Sequence, residues 1–321
     1  MSDKVSVKKR RRGLKIALIV AAVLVVLVCA VLGFAGNYLF NFALDPTTQG
    51  GMLDNGNEDK PLTGNNAWLQ ENSEDRWLTS RDGLSLHGLY VPQEEDSHLY
   101  AVICHGYGSS PHHMGNSAVS FYDMGFNLLL PAARAHEQSE GAYAGMGWPE
   151  RLDVVDWINT LTEQDPDAQI ILYGVSMGGA TVMMVSGEEL PGNVKCSVED
   201  CGYSSVWDEF ALQLQEMFGL PTFPVLNAAS LVCQIRAGYG FQEASAVKQL
   251  ARTQLPMLFI HGEEDAFVPY SMLDVVYEAC ASPEKVRLSV PGAVHAESAS
   301  TAPELYWGTV SDFLEKYVDF G

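Results

Sequence analysis

Six short apolar runs recur from residue 99 onward: LYAVICHG (99–106), FNLLLPAA (126–133), QIILYGVS (169–176), VKCSVED (194–200), PMLFIHG (256–262) and KVRLSVPG (285–292). They are near-continuous rather than alternating, so both faces of each predicted strand need cover. Strands of that kind belong to parallel sheets, whose crossover connections lay helices on either side. The segments between them supply such helices. PERLDVVDWINTLTEQ (149–164) spaces Leu152, Val155, Ile158 and Leu161 about one turn apart, with Pro149 in a first-turn position that its fixed φ suits. TAPELYWGTVSDFLEKYV (301–318) behaves similarly. The expected class is α/β, with a mostly parallel central sheet flanked by helices. Ahead of it, DRWLTSRDGLSLHGLYVP (75–92) alternates at period two about Asp82-Gly83 and predicts a hairpin.

One interval breaks the alternation. Over fifty residues separate the runs at 194–200 and 256–262, and they include WDEFALQLQEMFGLPTFPVLNAASLV (207–232). The apolar content, Phe210, Leu212, Met217, Phe218, Leu220 and Phe223 among others, predicts a helical insertion over about 203–247. Such an insertion serves as a lid, part of whose apolar surface packs on the body.

The N-terminus has a different character. Seven of the 19 basic residues and one of the 40 acidic ones fall in the first fifteen positions, so the remainder carries a net charge of −27. A body that acidic repels nucleic acid and anionic lipid, which excludes nucleic-acid partners and disfavours phosphate-rich substrates. IALIVAAVLVVLVCAVLGFAG (16–36) follows the basic tail without one charged side chain. At ~1.5 Å per residue, about 20 such residues cross a ~30 Å hydrocarbon core. A cleaved signal peptide would have a shorter apolar stretch, roughly 7–15 residues, so an uncleaved anchor is the expected reading. The basic tail, 1–15, then stays cytoplasmic and the rest of the chain faces outward. Residues 37–74, rich in Gly, Asn and acid beyond residue 45, read as a stalk with a short helix near Ala67 to Glu71; residues 75–320 form the domain. Outside the anchor there are five cysteines and no Cys-x-x-Cys pair, so neither a disulfide scaffold nor a zinc site is indicated.

Within this frame, ILYGVSMGGATVM (171–183) holds one serine between glycines where a buried strand hands over to a helix. A reactive oxygen must project from the backbone while its neighbours stay clear. Gly174 and Gly178 remove the side chains that would collide there, and the arriving helix aims its amide end at the same place. A serine nucleophile also needs a base and an orienting acid. The run PMLFIHG is followed by Glu263, Glu264 and Asp265, and KVRLSVPG by His295. Asp200, which ends the run VKCSVED, is a further acid to weigh.

Four segments, HGYGSS (105–110), GVSMGG (174–179), HGEEDAFVP (261–269) and GAVHAES (292–298), together resemble the α/β-hydrolase superfamily over about residues 75–320. More narrowly, the set looks like bacterial membrane-anchored serine hydrolases of the cinnamoyl-esterase and acyl-peptidase-like groups. The resemblance implies Ser176 as nucleophile, His295 as base and Asp265, placed by the pattern H-G-x-x-D-x-x-V-P, as the acid. It implies an oxyanion hole from the backbone N–H groups of Tyr107 and Met177. Tyr203 and Trp207 are pocket candidates, with lid packing as their other reading. His105 and His261 precede the required position and are read as structural, hydrogen-bonding loop backbone. His87 and His98 are expected in solvent, and adjacent His112 and His113 point apart rather than forming a metal pair. Where the family commonly has Asp-x-Arg-Gly-His-Gly-x-Ser, this chain has AARAHEQS (132–139), with Ala132, Ala135 and Glu137 in place of the acid and two glycines.

The function expected is a serine hydrolase of the outer face of a bacterial cell membrane, single-pass, acting through an acyl-enzyme on small hydrophobic or aromatic carboxylic esters. A peptidase or amidase of the acyl-peptidase-like type is the alternative, acting on a short peptide, and a binding module without catalysis is a third. No cofactor and no metal are implied.

Overall fold

The computed structural model describes residues 2–49, 51–52 and 61–321. A long helix, α1 (Ser2–Leu44), leads to α2 (Asn65–Asn72) and the hairpin strands β1 (Glu74–Thr79) and β2 (Ser85–Val91). Then follow β3 (Leu99–Cys104), a 3-10 turn at Pro111–Met114, α3 (Gly115–Asp123), β4 (Asn127–Pro131), α4 (Glu150–Gln164), β5 (Gln169–Val175), α5 (Met177–Val185) and β6 (Val194–Asp200). The insertion carries α6 (Val206–Phe218), α7 (Thr222–Ala237) and α8 (Ala246–Leu250). The chain closes with β7 (Met257–Gly262), α9 (Ser271–Ala279), β8 (Lys285–Val290), α10 (Ser298–Thr301) and α11 (Pro303–Leu314).

All eight strands join one sheet in the order β1-β2-β4-β3-β5-β6-β7-β8. Each of the six apolar runs became a strand, and these six pair in parallel, whereas β2 joins β4 antiparallel and β1 joins β2 antiparallel. Every residue of β3, β4 and β7 is buried, while the edge strands β1 and β8 alternate or stay partly open. Central strands therefore carry the continuous apolar runs, because both of their faces are covered by helices. One core lies beneath α3 and α11, with Phe121, Phe126 and Phe313 fully enclosed. Another lies beneath α4 and includes Trp157 and Ile158.

The stalk expected over 37–74 differs at its start, while the short helix expected near Ala67 to Glu71 is α2; residues 53–60 lie outside the described residues. Residues 37–44 continue the apolar helix and dock on the insertion. Gly36 lies so close to α7 that a Cβ there would sit 2.7 Å from the Ala228 carbonyl carbon. Phe40 and Leu44 are wholly buried in the cluster that holds Leu226, Ala229 and Phe241. Arg236 clamps the junction, donating to Asn37 Oδ1 at 3.1 Å and Asn41 Oδ1 at 2.5 Å, with its guanidinium 4.1 Å from the centre of the Phe40 ring. From Leu14 to Val31, by contrast, α1 is exposed throughout, and its apolar length is enough to cross a membrane.

His87 is a second correction. It is completely buried rather than solvated, and its Nε2 lies 2.9 Å from Asp75 Oδ1 while Nδ1 lies 3.4 Å from Glu137 Oε2. Strand β2 is covered on both faces, which the alternation of the hairpin does not reveal. His98 is exposed, as read, and meets Asp165 at 2.8 Å. The described cysteines are unpaired.

Candidate active site

Ser176 sits between the last residue of β5 and the first of α5, at φ 58° and ψ −118°. For an L residue this is a sparsely populated conformation, held only because its surroundings over-determine it. Those surroundings are backbone. A Cβ on Gly174 would fall 2.1 Å from the Gly178 carbonyl oxygen, and one on Gly178 would fall 2.0 Å from the carbonyl oxygen of Cys104. Strand β5, helix α5 and strand β3 thus meet where only glycine fits. Gly178→Ala is expected to destabilise the fold by more than about 4 kcal/mol, since no side-chain rotation relieves a clash with backbone. Soluble yield and chemical denaturation of the variant check this; a folded variant of ordinary stability would refute it.

Three loops at the carboxyl ends of the strands converge on this serine. His295, in the loop after β8, places Nε2 2.9 Å from Ser176 Oγ and Nδ1 2.8 Å from Asp265 Oδ2. Asp265, in the loop after β7, is 5% exposed. Its Oδ1 accepts from the backbone N–H groups of Phe267 and Val268, each at 3.0 Å, so the carboxylate also organises its own loop. Burial alone would raise the pKa of Asp265, but contacts with His261 and His295 outweigh it and hold the group at about 2. His261 Nε2 lies 3.2 Å from Asp265 Oδ2 and 2.9 Å from the Val268 carbonyl. Asp200 takes another direction. Its Oδ2 accepts from the Tyr306 hydroxyl at 2.9 Å, within a buried chain through Tyr173 and Ser117.

The loop carrying Tyr107 lies against the serine, since a Cβ on Gly106 would be 3.5 Å from the Ser176 Cβ. Met177 is the first residue of α5, so its N–H has no partner within the helix and faces outward at the positive end. Two buried histidines fix the Tyr107 loop. His105 Nδ1 donates to the Gly106 carbonyl at 2.8 Å and Nε2 accepts from the Ala133 N–H at 3.0 Å. His136 Nδ1 donates to the Arg134 carbonyl at 2.8 Å while Nε2 accepts from the Gly108 N–H at 3.1 Å. Each imidazole accepts at one nitrogen, which requires the neutral form, and burial lowers both; His105 is brought to about 3. The departure noted after β4 has a structural counterpart. Ala135 and Glu137 hold φ of 59° and 50°, at the positions where the family pattern has glycine. Glu137 meets His112 at 3.0 Å and His87 at 3.4 Å, contacts that hold its carboxylate at about 2 against the effect of burial. Arg134 pairs with Asp82 and Asp153, both at 2.6 Å.

Above the serine is a narrow pocket lined by Tyr107, Met146, Tyr203, Glu209, Phe210 and Phe267 among others. Tyr203 is in it, with its hydroxyl donating to the Met146 carbonyl at 3.0 Å. Trp207 is not among its lining residues; it packs against the apolar cluster of the lid, so the packing reading holds for that residue. Sequence reasoning missed Glu209. It stands on α6 at an apolar-face position and is 3% exposed, with Oε1 accepting from Gln213 at 2.9 Å and Oε2 without a partner. A carboxylate at core spacing in an apolar helix was the available signal. Burial raises Glu209 to about 7. The unfolded group ionises near 4.5 while the folded one keeps its proton, so stability falls as pH rises from about 4.5 to 7 and the loss is then complete. Glu209→Gln is therefore expected to match wild type near pH 4.5 and to gain on the order of 2 kcal/mol at pH 8.5. Melting of both proteins at the two pH values measures it, and a gap that does not widen with pH would be evidence against it.

Cys201, Asp265 and His295 each offer a ligand atom within 4.8 Å of the others. Asp265 and His295 are engaged with each other, and burial raises the Cys201 thiol well above its ordinary range, which keeps it protonated and a poor ligand. Chemically, the site offers a serine hydroxyl, an imidazole positioned to take its proton, a carboxylate to hold that imidazole, and backbone donors beside them.

Residues 101–220 match the family described as alpha/beta hydrolase fold. The chain is 26% identical over 243 residues to the uncharacterized protein YqkD of Bacillus subtilis, covering 75% of this chain and 79% of the relative. It is 20% identical over 237 residues to the uncharacterized membrane protein YNL320W of Saccharomyces cerevisiae, covering 74% and 78%. Among solved structures, the Pyrococcus furiosus esterase Pf2001 superposes with a TM-score of 0.65 at 22% identity, over 81% of this chain and 98% of that one.

Proposed function

We propose a serine hydrolase that cleaves carboxylic esters, for a chain whose residues 101–220 match the alpha/beta hydrolase fold family and whose fold is shared with the esterase above. One observation carries the reading: the unbroken relay Ser176–His295–Asp265, at 2.9 and 2.8 Å. In the proposed reaction Ser176 Oγ attacks the acyl carbonyl and gives its proton to His295 Nε2. The negative oxygen that forms is received by the N–H groups of Tyr107 and Met177, each donor contributing about 3–4 kcal/mol to the barrier reduction. His295 returns the proton to the departing alcohol. Water, deprotonated by the same imidazole, then releases the acid and restores the serine. The esterase that superposes on this chain and the apolar lining of the pocket support ester over other acyl substrates.

An amide-cleaving reading has its own support in Glu209. A buried carboxyl with a free oxygen beside the serine suits the ammonium of an aminoacyl group. The full chain, purified in detergent, is expected to hydrolyse p-nitrophenyl esters faster than aminoacyl anilides. The reverse order, with anilide cleavage lost in Glu209→Gln, would replace the first reading by the second.

The exposed apolar length of α1 and the membrane-protein relative support an anchored protein. The basic tail supports an N-terminus in the cytoplasm and a hydrolase outside it. Protease added to intact cells is expected to remove the domain and spare the tail.

A further inference from the structure

The docking of α1 on the lid creates a second, apolar pocket. From α1 it is lined by Leu39, Phe42 and Ala43, and from the lid by Leu214, Leu226 and Ala229. It shares Met52, Phe210 and Gln213 with the pocket above Ser176, so the two spaces adjoin through a common wall of side chains. Tyr107, beside the serine, reaches from one to the other: its hydroxyl donates to the Ala43 carbonyl. An apolar void next to a reactive serine is where the hydrocarbon part of an ester would lie.

Its position says where that hydrocarbon comes from. The run of α1 free of charged and amide side chains ends at residue 36, before Asn37, and a Cβ on Gly36 would fall within 3.0 Å of the backbone of Ala228 and Ala229 of α7. If that run spans the bilayer, the cavity begins about one helical turn above its surface. The lid there exposes Phe223, Leu231 and Ile235 at 77%, 56% and 76%, together with Met217, Phe218 and Leu220. Single exposed apolar residues are ordinary, but a group on the two helices that border a spanning segment suits contact with lipid. The −27 body selects against an anionic headgroup.

We propose that this cavity is an acyl-chain site, and that the substrate is a neutral ester of a medium or long fatty acyl chain drawn from the bilayer between α1 and the lid. The proposal rests on the ester reading above. The chain occupies the space between α1, α6 and α7, the ester carbonyl meets Ser176, the alcohol leaves with the proton from His295, and water releases the fatty acid. It replaces the expectation of a small acyl group with one that the anchor itself helps to hold.

The test uses the full chain reconstituted in phosphatidylcholine vesicles, with p-nitrophenyl acetate and decanoate in the aqueous phase and a monoacylglycerol mixed into the bilayer. Wild type is expected to prefer decanoate to acetate by roughly 100-fold in kcat/KM, the gain from burying about four methylenes, and to hydrolyse the monoacylglycerol. Ala229→Phe, which fills the cavity, is expected to lose at least about 10-fold on decanoate while acetate turnover stays within about 2-fold. Leu226→Ala, which enlarges it, is expected to move the chain-length optimum upward, and so reads the same cavity should the first variant not fold. Acetate turnover with no chain-length preference, or a preference that neither variant changes, would overturn the acyl site while leaving the esterase intact. Decanoate cleavage without monoacylglycerol cleavage would overturn access from the bilayer. Inertness toward both aqueous esters would overturn the ester reading and this proposal together.

Discussion

Ser176→Ala is expected to lower kcat on p-nitrophenyl esters by about 10⁵–10⁶-fold and to abolish labelling by a fluorophosphonate, with little change in stability. The methyl group retained by alanine fills the elbow as serine does, and the Oγ makes its described side-chain bond to His295 alone. What disappears is the one oxygen that the glycines at 174 and 178 hold clear of the strand–helix corner. The backbone donors at Tyr107 and Met177 remain, so a residual rate above that of water should persist. If the variant labels or turns over like wild type, the nucleophile is elsewhere. If neither protein labels while both are folded, the arrangement is unused and a binding role gains weight.

Asp265→Asn is expected to lower kcat by about 10⁴-fold with a much smaller change in KM. The reason lies in the tautomer. Asp265 Oδ2 stands 2.8 Å from His295 Nδ1 and 3.2 Å from His261 Nε2, so one oxygen receives two ring nitrogens. An asparagine that turns its amide nitrogen to this side makes His295 accept at Nδ1, and the proton moves to Nε2. An imidazole protonated there cannot take the Ser176 proton. An asparagine that keeps its oxygen on this side presents an NH₂ to the backbone donors of Phe267 and Val268 and loosens the loop. Stability responds with the opposite pH sign to Glu209. The folded carboxyl titrates at about 2 against an ordinary 3.8. Its contribution is therefore complete above about pH 4 and lost as pH falls through 2, and Asp265→Asn removes it at neutral pH. Asp200→Asn provides the contrast. Its carboxyl serves Tyr306, so kcat is expected to fall by no more than about 10-fold. Kinetics of both variants at pH 7.5 separate the two acids, and equal losses would remove the distinction drawn between them.

Some of this molecule is written locally. The six apolar runs became the six parallel strands, the central ones near-continuous because helices cover both of their faces and β8 partly open at the edge. The Asp82-Gly83 turn, the helix over 150–164 and the helical insertion follow from equally short-range signals. The serine held between glycines was legible too, since the constraint lies within five residues, and so was the backbone-bonded role of His105. Other features were not. His87 and His98 were both expected in solvent, yet one is enclosed and the other exposed. Trp207 and Glu209 are two positions apart on one helix, and only the second faces the pocket.

By itself, then, the sequence determined the sheet, the elbow and the chain order in which serine, acid and histidine arrive, because each is set by sterics or burial within a few residues. Only the tertiary structure decided that the N-terminal helix continues past its apolar run to dock on the insertion, and that a second pocket forms where they meet. Those depend on surfaces brought together from some two hundred residues apart, as Asn37 and Arg236 are. No periodicity within either segment records what the other will cover.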